Sequence, residues 1–422
     1  MKHPASLEQI VTHGLCLGCG LCQSVAGRDY VEMGWVDPPG RLRPRIKQPL
    51  RAEQQQAILR ICPGARLDEP VDHRHSDDVK VDASFGPWMN VWKGHASEPE
   101  IHHLASSGGA LSALGVYLLE TNKVEFVLHV KASSERPMRS RVQVSTSRAE
   151  VLEAAGSRYG PVDPLSSFTE QLDKGVPFAV IGKPCDVSGV HNMRAHDPRV
   201  DELVRYTLAF SCGTFSDLQC SRWMLDRQGV PGGEQNLSLF RYRGYGCPGP
   251  TRAVTLDGQI FDEPYLEFWY GPHGWTHQFR CRICADPTGE MTDISVADAW
   301  PGGGPTEEEW GGYSLFVSRT KAGDALMHEA IAADAVTVTS TGIEAMYECQ
   351  PHQAVKKQGI AARLRALDSE DQLGPRFNNV RIEDAAAQRD ENFHIDNFEG
   401  ARERIHRGLN HEPAPTAESD SD

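Results

Sequence analysis

The sequence predicts an α/β fold with a mixed-sheet core, preceded by a small module built around cysteines. Three observations carry this. From about Asn90 the chain runs VWKGHA, then SSGGALSALGVYLLE, then KVEFVLHVKA, which is strand, glycine turn, helix and strand in sequence. Two further apolar runs, PFAVIG and YTLAF, read as buried strands, and each leads directly to a cysteine. Ahead of them, residues 1–75 hold four of the eleven cysteines and few aliphatics, so that segment needs something other than a core to hold it together.

The elements follow in order. Residues 1–75 are expected to form the N-terminal module, and Val71–Lys80 (VDHRHSDDVK) a polar linker whose two histidines are better read as solvated than as ligands. Residues 85–380 are expected to form the main domain. Within it AEVLEAA and LSSFTEQLDKG read as short helices, and PFAVIGKPCDVSGV as a buried strand running into a turn. ISVADAW and YSLFVSRT read as further strands, followed by the helix GDALMHEAIAAD. Residues 400–422 end in NHEPAPTAESDSD, acidic and proline-bearing, and are expected to be disordered.

The whole-chain balance excludes some functions. The net charge is -15, with 58 acidic against 43 basic residues, which argues against a nucleic-acid binder that must neutralise phosphates. No run approaches the roughly 18 apolar residues that span a membrane, and MKHPASLEQIVTHGL lacks the apolar stretch of a signal peptide. A cytoplasmic location is the default expectation. In that reducing setting the cysteines point to metal ligation or redox chemistry rather than disulfides.

Cys16-Leu-Gly-Cys19-Gly-Leu-Cys22 places three thiols in seven residues. That spacing wraps one face of a cubane cluster, with glycines letting the backbone turn around it, and predicts a ferredoxin-like iron–sulfur module. Cys62, in a Cys-Pro-Gly sequence, is assigned as its fourth ligand. Four thiolates would also hold zinc, but zinc sites usually come as two separated C-x-x-C pairs. Cys185 follows the strand FAVIGKP, Cys212 follows TLAFS, and Cys281 and Cys284 form a C-x-x-C pair. Ligands gather at the carboxyl ends of such strands, so these four are candidates for a second site, although buried cysteines are often merely small apolar groups. Cys220, Cys247 and Cys349 have no partners at metal spacing.

These segments resemble, in order, the coenzyme F420 hydrogenase/dehydrogenase beta subunit family, which includes 7-hydroxymethyl chlorophyll a reductase and the ferredoxin-type divinyl chlorophyllide 8-vinyl reductase. CLGCGLC, SSGGALSALGVYLLE, AAGSRYGPVDPLSSF, FAVIGKPCDVSGV, FSCGTFS and CRICADPTGEMTDISVADAW carry the resemblance, from about Cys16 to about Leu364. It implies a flavin, normally FAD, beside a [4Fe–4S] cluster held by Cys185, Cys212, Cys281 and Cys284. Cys16, Cys19, Cys22 and Cys62 would hold the additional cluster of the two-cluster members. Asp186 departs from the family's usual residue, and a carboxylate beside a cluster would tend to lower its potential.

For the flavin, Ser106, Ser107, Gly108 and Gly109 open a helix whose free N–H groups suit a pyrophosphate. Alone this reads as an ordinary helix start; with the resemblance it reads as a flavin contact. Gly156, Ser157, Arg158 and Tyr159 offer a turn, a cation and a ring, and Lys183 a charge beside the flavin. His102, His103 and Tyr159 are the candidate proton donors. The expected activity is an FAD- and iron–sulfur-dependent oxidoreductase, taking electrons from reduced ferredoxin or a similar donor through two [4Fe–4S] clusters to FAD and on to a small organic substrate. The alternatives are an F420-reducing or relay subunit of a larger complex, and a zinc-binding interaction protein. A homo-oligomer and a larger redox complex are both compatible with the sequence. Trp269, Tyr270 and Trp275 are aromatic residues that suit either a planar pocket or the core.

Overall fold

The computed structural model describes residues 1–68, 78–271, 277–305 and 312–413. Eight strands form one mixed sheet: β1 (Asn90–Ala96), β2 (Phe126–Ala132), β3 (Ser140–Ser145), β4 (Phe178–Gly182), β5 (Val204–Phe210), β6 (Ile294–Asp298), β7 (Ser314–Ser318) and β8 (Val336–Thr341). Their order across the sheet is β8-β1-β7-β6-β5-β4-β2-β3. The strands β6, β5, β4 and β2 pair in parallel, and antiparallel strands extend the sheet on both sides.

The apolar runs explain the centre. A parallel strand covered on both faces has no polar side, so FAVIG and TLAF read as continuous apolar sequence. Along β4, Phe178 and Val180 face one core and Ala179 the opposite one, as a period of two requires. The helix Ala110–Glu120 and the helix Lys321–Ala332 cover the Ala179 face. On the Phe178 face the cover includes Cys19, Leu21 and Ile61 from the chain's first segment, together with Phe168 and Val190.

The first segment is therefore built into the domain. It holds the helices Leu7–Thr12, Leu21–Ala26 and Ala52–Ile61 and the hairpin Val31–Val36/Arg41–Ile46. Leu165 N donates to Cys19 O (2.9 Å), and Asn192 Nδ2 donates to Ile61 O (3.1 Å). Its strand Arg66–Asp68 pairs in parallel with Arg376–Asn378 from the far end of the chain.

Two expectations are corrected. The segment after β4 is not a turn but the helix Pro184–Met193; proline suits the first helical turn, and Asp186 Oδ2 accepts a hydrogen bond from Lys183 N (3.0 Å). The C-terminal segment expected to be disordered from residue 400 is helical through His406, in Glu391–His406. Beyond it Glu412 N donates to Thr12 O (2.9 Å), so ion pairing and backbone bonding fix residues that composition alone marks as a tail. Residues 414–422, and the linker histidines 73 and 75, lie outside the described residues. Among the described residues, no helix is long and apolar enough to cross a membrane.

One buried group gives the fold a pH limit. His129 on β2 is hydrogen-bonded to Ser145 Oγ on β3 (2.7 Å), and burial, aided by the Lys131 charge, pushes its pKa from 6.5 down to about 4. The unfolded chain therefore takes up this proton first. Stability is full above pH 6.5 and falls as pH drops towards 4, by about 3 kcal/mol at most. His129→Gln should flatten that slope in urea denaturation series at pH 7 and pH 4.5; an unchanged slope would show that other groups set it.

Candidate functional site

Backbone geometry first shapes the N-terminal cysteine loop. Gly18 and Gly20 have φ of +70° and +85°, and a Cβ on them would lie 2.8 Å from Leu42 O and from Ser166 N. No side chain fits at either place, so the loop between the cysteines can only be drawn this tightly with glycine. Gly18 N consequently donates to Cys16 Sγ (3.4 Å). Cys62 closes the helix Ala52–Ile61, where its N–H bonds Ile58 O (2.9 Å). Cys16, Cys19, Cys22 and Cys62 line one cavity.

The second quartet is assembled at strand ends. Cys185 lies in the first turn of the helix after β4, and Cys212 two residues past β5. Cys212 N donates to Pro287 O (2.7 Å), tying it to the loop that carries the other pair. Cys281 belongs to the short helix Phe279–Arg282, and Cys284 follows it. Cys185, Cys212, Cys281 and Cys284 line a second cavity, and Leu17 lines both. The structure thus brings Cys16, Cys19, Cys22 and Cys62 to one cavity and Cys185, Cys212, Cys281 and Cys284 to another. Among the described residues no three His, Cys, Asp or Glu side chains are gathered into a site for a single ion. The thiols of each quartet line a common cavity.

Electrostatics point the same way. Burial pushes the Cys19 and Cys22 thiols well up and Cys62 to about 11, and the neighbouring sulfurs add to each rise. Burial likewise raises Cys185 strongly and Cys212 to about 12. Backbone N–H groups of Leu21, Gln23 and Gly64 and the charges of Lys183 and Lys356 act against this. Thiols that repel one another as anions ionise together only beside compensating positive charge.

Several residues that the sequence reading did not single out frame the quartets. Arg280, 2% exposed, donates from Nε to Gly64 O (3.2 Å), from Nη2 to Pro63 O (3.1 Å) and from Nη1 to Ile283 O (3.1 Å). It thereby ties the Cys62-Pro63-Gly64 turn of one quartet to the Cys281–Cys284 turn of the other. Lys356 Nζ donates to Gly213 O and lines the second cavity. Asp286 accepts from Gly289 N (2.7 Å) and Glu290 N (3.0 Å), shaping the loop after Cys284. The signal for Arg280 was its place next to a ligand cysteine; Lys356 had none.

Asp186, the residue that departs from the family's usual one, pairs through its carboxylate with Lys183 Nζ at 2.8 Å, so the second quartet faces an ion pair at this position. Lys183 is largely buried; although burial opposes its charge, Asp186, Cys185 and Cys212 together hold its pKa up.

The two segments predicted to touch a flavin do converge. Ser157 N donates to Ser106 Oγ (2.7 Å), and Arg243 Nε donates to Ser157 Oγ (3.0 Å) while its guanidinium pairs with Asp298 (2.9 Å). Gly108 packs so closely that a Cβ would lie 2.8 Å from Gly94 O, and Ser107 Oγ donates to Tyr313 O (2.9 Å). Gly109, with φ +75°, caps the helix Ala110–Glu120. Arg158 does not fit the role given to it. Its Nε donates to Ser140 Oγ (3.0 Å), Nη1 to Phe240 O (3.0 Å), and Nη2 to the carbonyls of Pro137, Met138 and Arg139. The guanidinium is a backbone staple, and Arg243 is the cation beside Ser157.

The candidate proton donors separate. His102 Nε2–H donates to Gly312 O (2.7 Å), its ring stacks on His95 at 4.5 Å, and burial lowers its pKa. His103 is exposed, edge-on to Tyr245. Tyr159 Oη lies 3.2 Å from Tyr265 Oη, and burial raises its pKa, which keeps it a neutral hydroxyl. Trp269 packs edge-on to Tyr159 and lies against Gly213, whereas Tyr270 is 82% exposed. Trp275 lies outside the described residues.

Comparison with known proteins gives a consistent pattern. Sequence models described as coenzyme F420 hydrogenase/dehydrogenase, beta subunit, match residues 91–169 for the N-term and 177–342 for the C terminus. Together they span more than half of the chain, a narrower stretch than the motifs suggested. The second quartet falls inside the matched residues and the first precedes them. The coenzyme F420 hydrogenase subunit beta of Methanococcus voltae is 25% identical over 264 residues, 59% of this chain and 83% of that protein. Its counterpart in Methanosarcina barkeri is 23% identical over 282 residues, 65% of this chain and 86% of that protein. A chain from the structure of the F420-reducing [NiFe] hydrogenase complex of Methanosarcina barkeri superposes with a TM-score of 0.54 at 20% identity, covering 70% of this chain and 98% of that one. That likeness is one of fold.

Proposed function

This chain belongs to the coenzyme F420 hydrogenase/dehydrogenase beta subunit family, and from that premise we propose that it is an electron-relay oxidoreductase subunit of a larger complex, with F420 or a similar deazaflavin as its organic partner. The names of the matched hydrogenase subunits put this reading ahead of a stand-alone reductase fed by ferredoxin. The carrying observation is the pair of four-cysteine cavities that share Leu17. We assign one [4Fe–4S] cluster to each quartet, the first within an N-terminal ferredoxin-like segment, and one FAD beside the second.

The quartets fit clusters by their thiol chemistry and by each lining a single cavity. Bound clusters would supply one-electron transfer, and a flavin the exchange between single electrons and hydride. The chain's own groups do the rest. Lys183 and Lys356 offset negative charge gathering at the second quartet, and Arg280 holds the two ligand turns in fixed relation. The contact between Ser106 and Ser157 supports the flavin position, with the Ser106–Gly109 and Gly156–Tyr159 segments and Lys183 around it and Arg158 excluded from it. Tyr159, neutral and hydrogen-bonded to Tyr265, is the proton donor we favour over His103, since the Nε2–H of His102 is already engaged.

Anaerobic purification with iron, sulfide, zinc and flavin analysis tests the assignment. About eight irons and one FAD per chain are expected. About two zinc ions and no iron would replace the reading with a zinc-binding one, and full iron without flavin would remove the FAD alone. Reconstitution with candidate partner subunits should then yield F420 reduction; turnover of the isolated chain with ferredoxin would favour the stand-alone reductase.

A further inference from the structure

Between the two quartets lies a buried ion pair that the family match does not include. Arg43, 2% exposed, sits on the hairpin strand Arg41–Ile46. Its Nη1 donates to Leu42 O (2.8 Å) and lies 3.5 Å from where a Cβ on Gly18 would stand, so it rests on the loop joining Cys16 to Cys19. Its Nη2 donates to Gln278 Oε1 (2.9 Å), and Gln278 O accepts the N–H of Cys281 (3.0 Å). One guanidinium thus touches the ligand loops of both quartets.

Its counter-charge comes from the other end of the chain. Glu412 accepts from Arg43 Nε (2.6 Å) and Nη2 (2.8 Å), and pairs with Arg41 at 3.1 Å. The C-terminal segment that carries it is pinned: Glu412 N donates to Thr12 O, and Asn410 Nδ2 donates to Gln372 Oε1 (2.9 Å). Asn410 O closes on Gly14, where a Cβ would lie 2.8 Å away. Arg41 is itself shared with Asp217 at 3.2 Å, so the carboxylate most directly opposed to Arg43 is Glu412.

We propose that Arg43 and Glu412 are positioning residues that set the reduction potentials of both clusters together, the C-terminal segment supplying the anion that keeps them low. The inference rests on the cluster assignment above. Adding an electron makes a cluster more negative, so a nearby unopposed cation favours the reduced state and a nearby anion disfavours it. Because both side chains are largely buried, their charges act with little screening.

The experiment is a dye-mediated redox titration of the full chain, purified anaerobically and followed by electron paramagnetic resonance, after iron has been quantified. Glu412→Gln keeps the shape and removes the charge; both midpoint potentials should rise. Arg43→Gln should lower both, and Glu412→Asp should restore values close to wild type. A purely structural clamp would not give shifts of opposite sign. Unchanged potentials in Glu412→Gln and Arg43→Gln at full iron content would overturn the proposal, as would loss of iron in both. A wild-type chain that holds no iron overturns the cluster assignment itself, and that is seen before any titration.

Discussion

Replacing Cys281 by alanine should remove about four of about eight irons and leave the other cluster in place. The reason is the separation of the quartets into two cavities, each complete in itself. With one thiol missing, Cys185, Cys212 and Cys284 remain beside Lys356 and the Lys183–Asp186 pair, one ligand short of a cluster. Cys19→Ala should give the complementary loss, with the second cluster kept. Electron transfer through the chain should fall at least about a hundredfold in either variant, since ligand loss exceeds the usual second-shell effect. Iron and sulfide analysis with spectra of the reduced protein distinguishes the two. If Cys281→Ala retained all its iron, the assignment of this quartet would fail; if it lost all, the quartets would be one site.

The second large effect belongs to Arg280→Lys. Three buried carbonyls, those of Pro63, Gly64 and Ile283, accept from one planar guanidinium. A lysine keeps the charge but has a single nitrogen on a flexible stem, and it cannot span both turns. Each buried carbonyl left without a donor costs about 1–3 kcal/mol, so the substitution should destabilise the fold by about 3–5 kcal/mol. Unlike a ligand mutation, it should loosen both clusters at once. Chemical denaturation and the rate of iron release to a chelator measure the two effects. Release rates equal to wild type for both clusters would show that Arg280 braces neither turn.

What could be read in the sequence was whatever local spacing encodes. Thiols at C-x-x-C-x-x-C spacing suggest their chemistry within seven residues, and FAVIG and TLAF declare buried strands by their continuous apolar runs. Cys185 and Cys212 were placed by the rule that strand ends carry function, and that is where they stand. Long-range pairing was not legible. Arg158, flanked by serine and tyrosine in a glycine-bounded turn, has the look of an anion ligand, yet its partners are the carbonyls of residues 137–139 and 240. Glu412 sits in a stretch whose composition says disorder, and two arginines on a distant hairpin together with a backbone bond to Thr12 overrule it. The hairpin itself escaped notice because LRPRI is polar where it meets those ion pairs. That Asp186 caps the helix start and pairs with Lys183 was likewise not legible, since both are properties of three dimensions.

The parallel pairing of Arg66–Asp68 with Arg376–Asn378 has a consequence for how the protein is made. The two strands stand 310 residues apart, and Glu412 must also reach back to Thr12. During translation the first four cysteines leave the ribosome early, while the strand and the carboxylate that complete their surroundings come out last. The first quartet is thus the first part of the site to be synthesised, and its surroundings are completed only when the far end of the chain arrives. Until then those thiols lack the strand and the carboxylate that the finished fold packs around them.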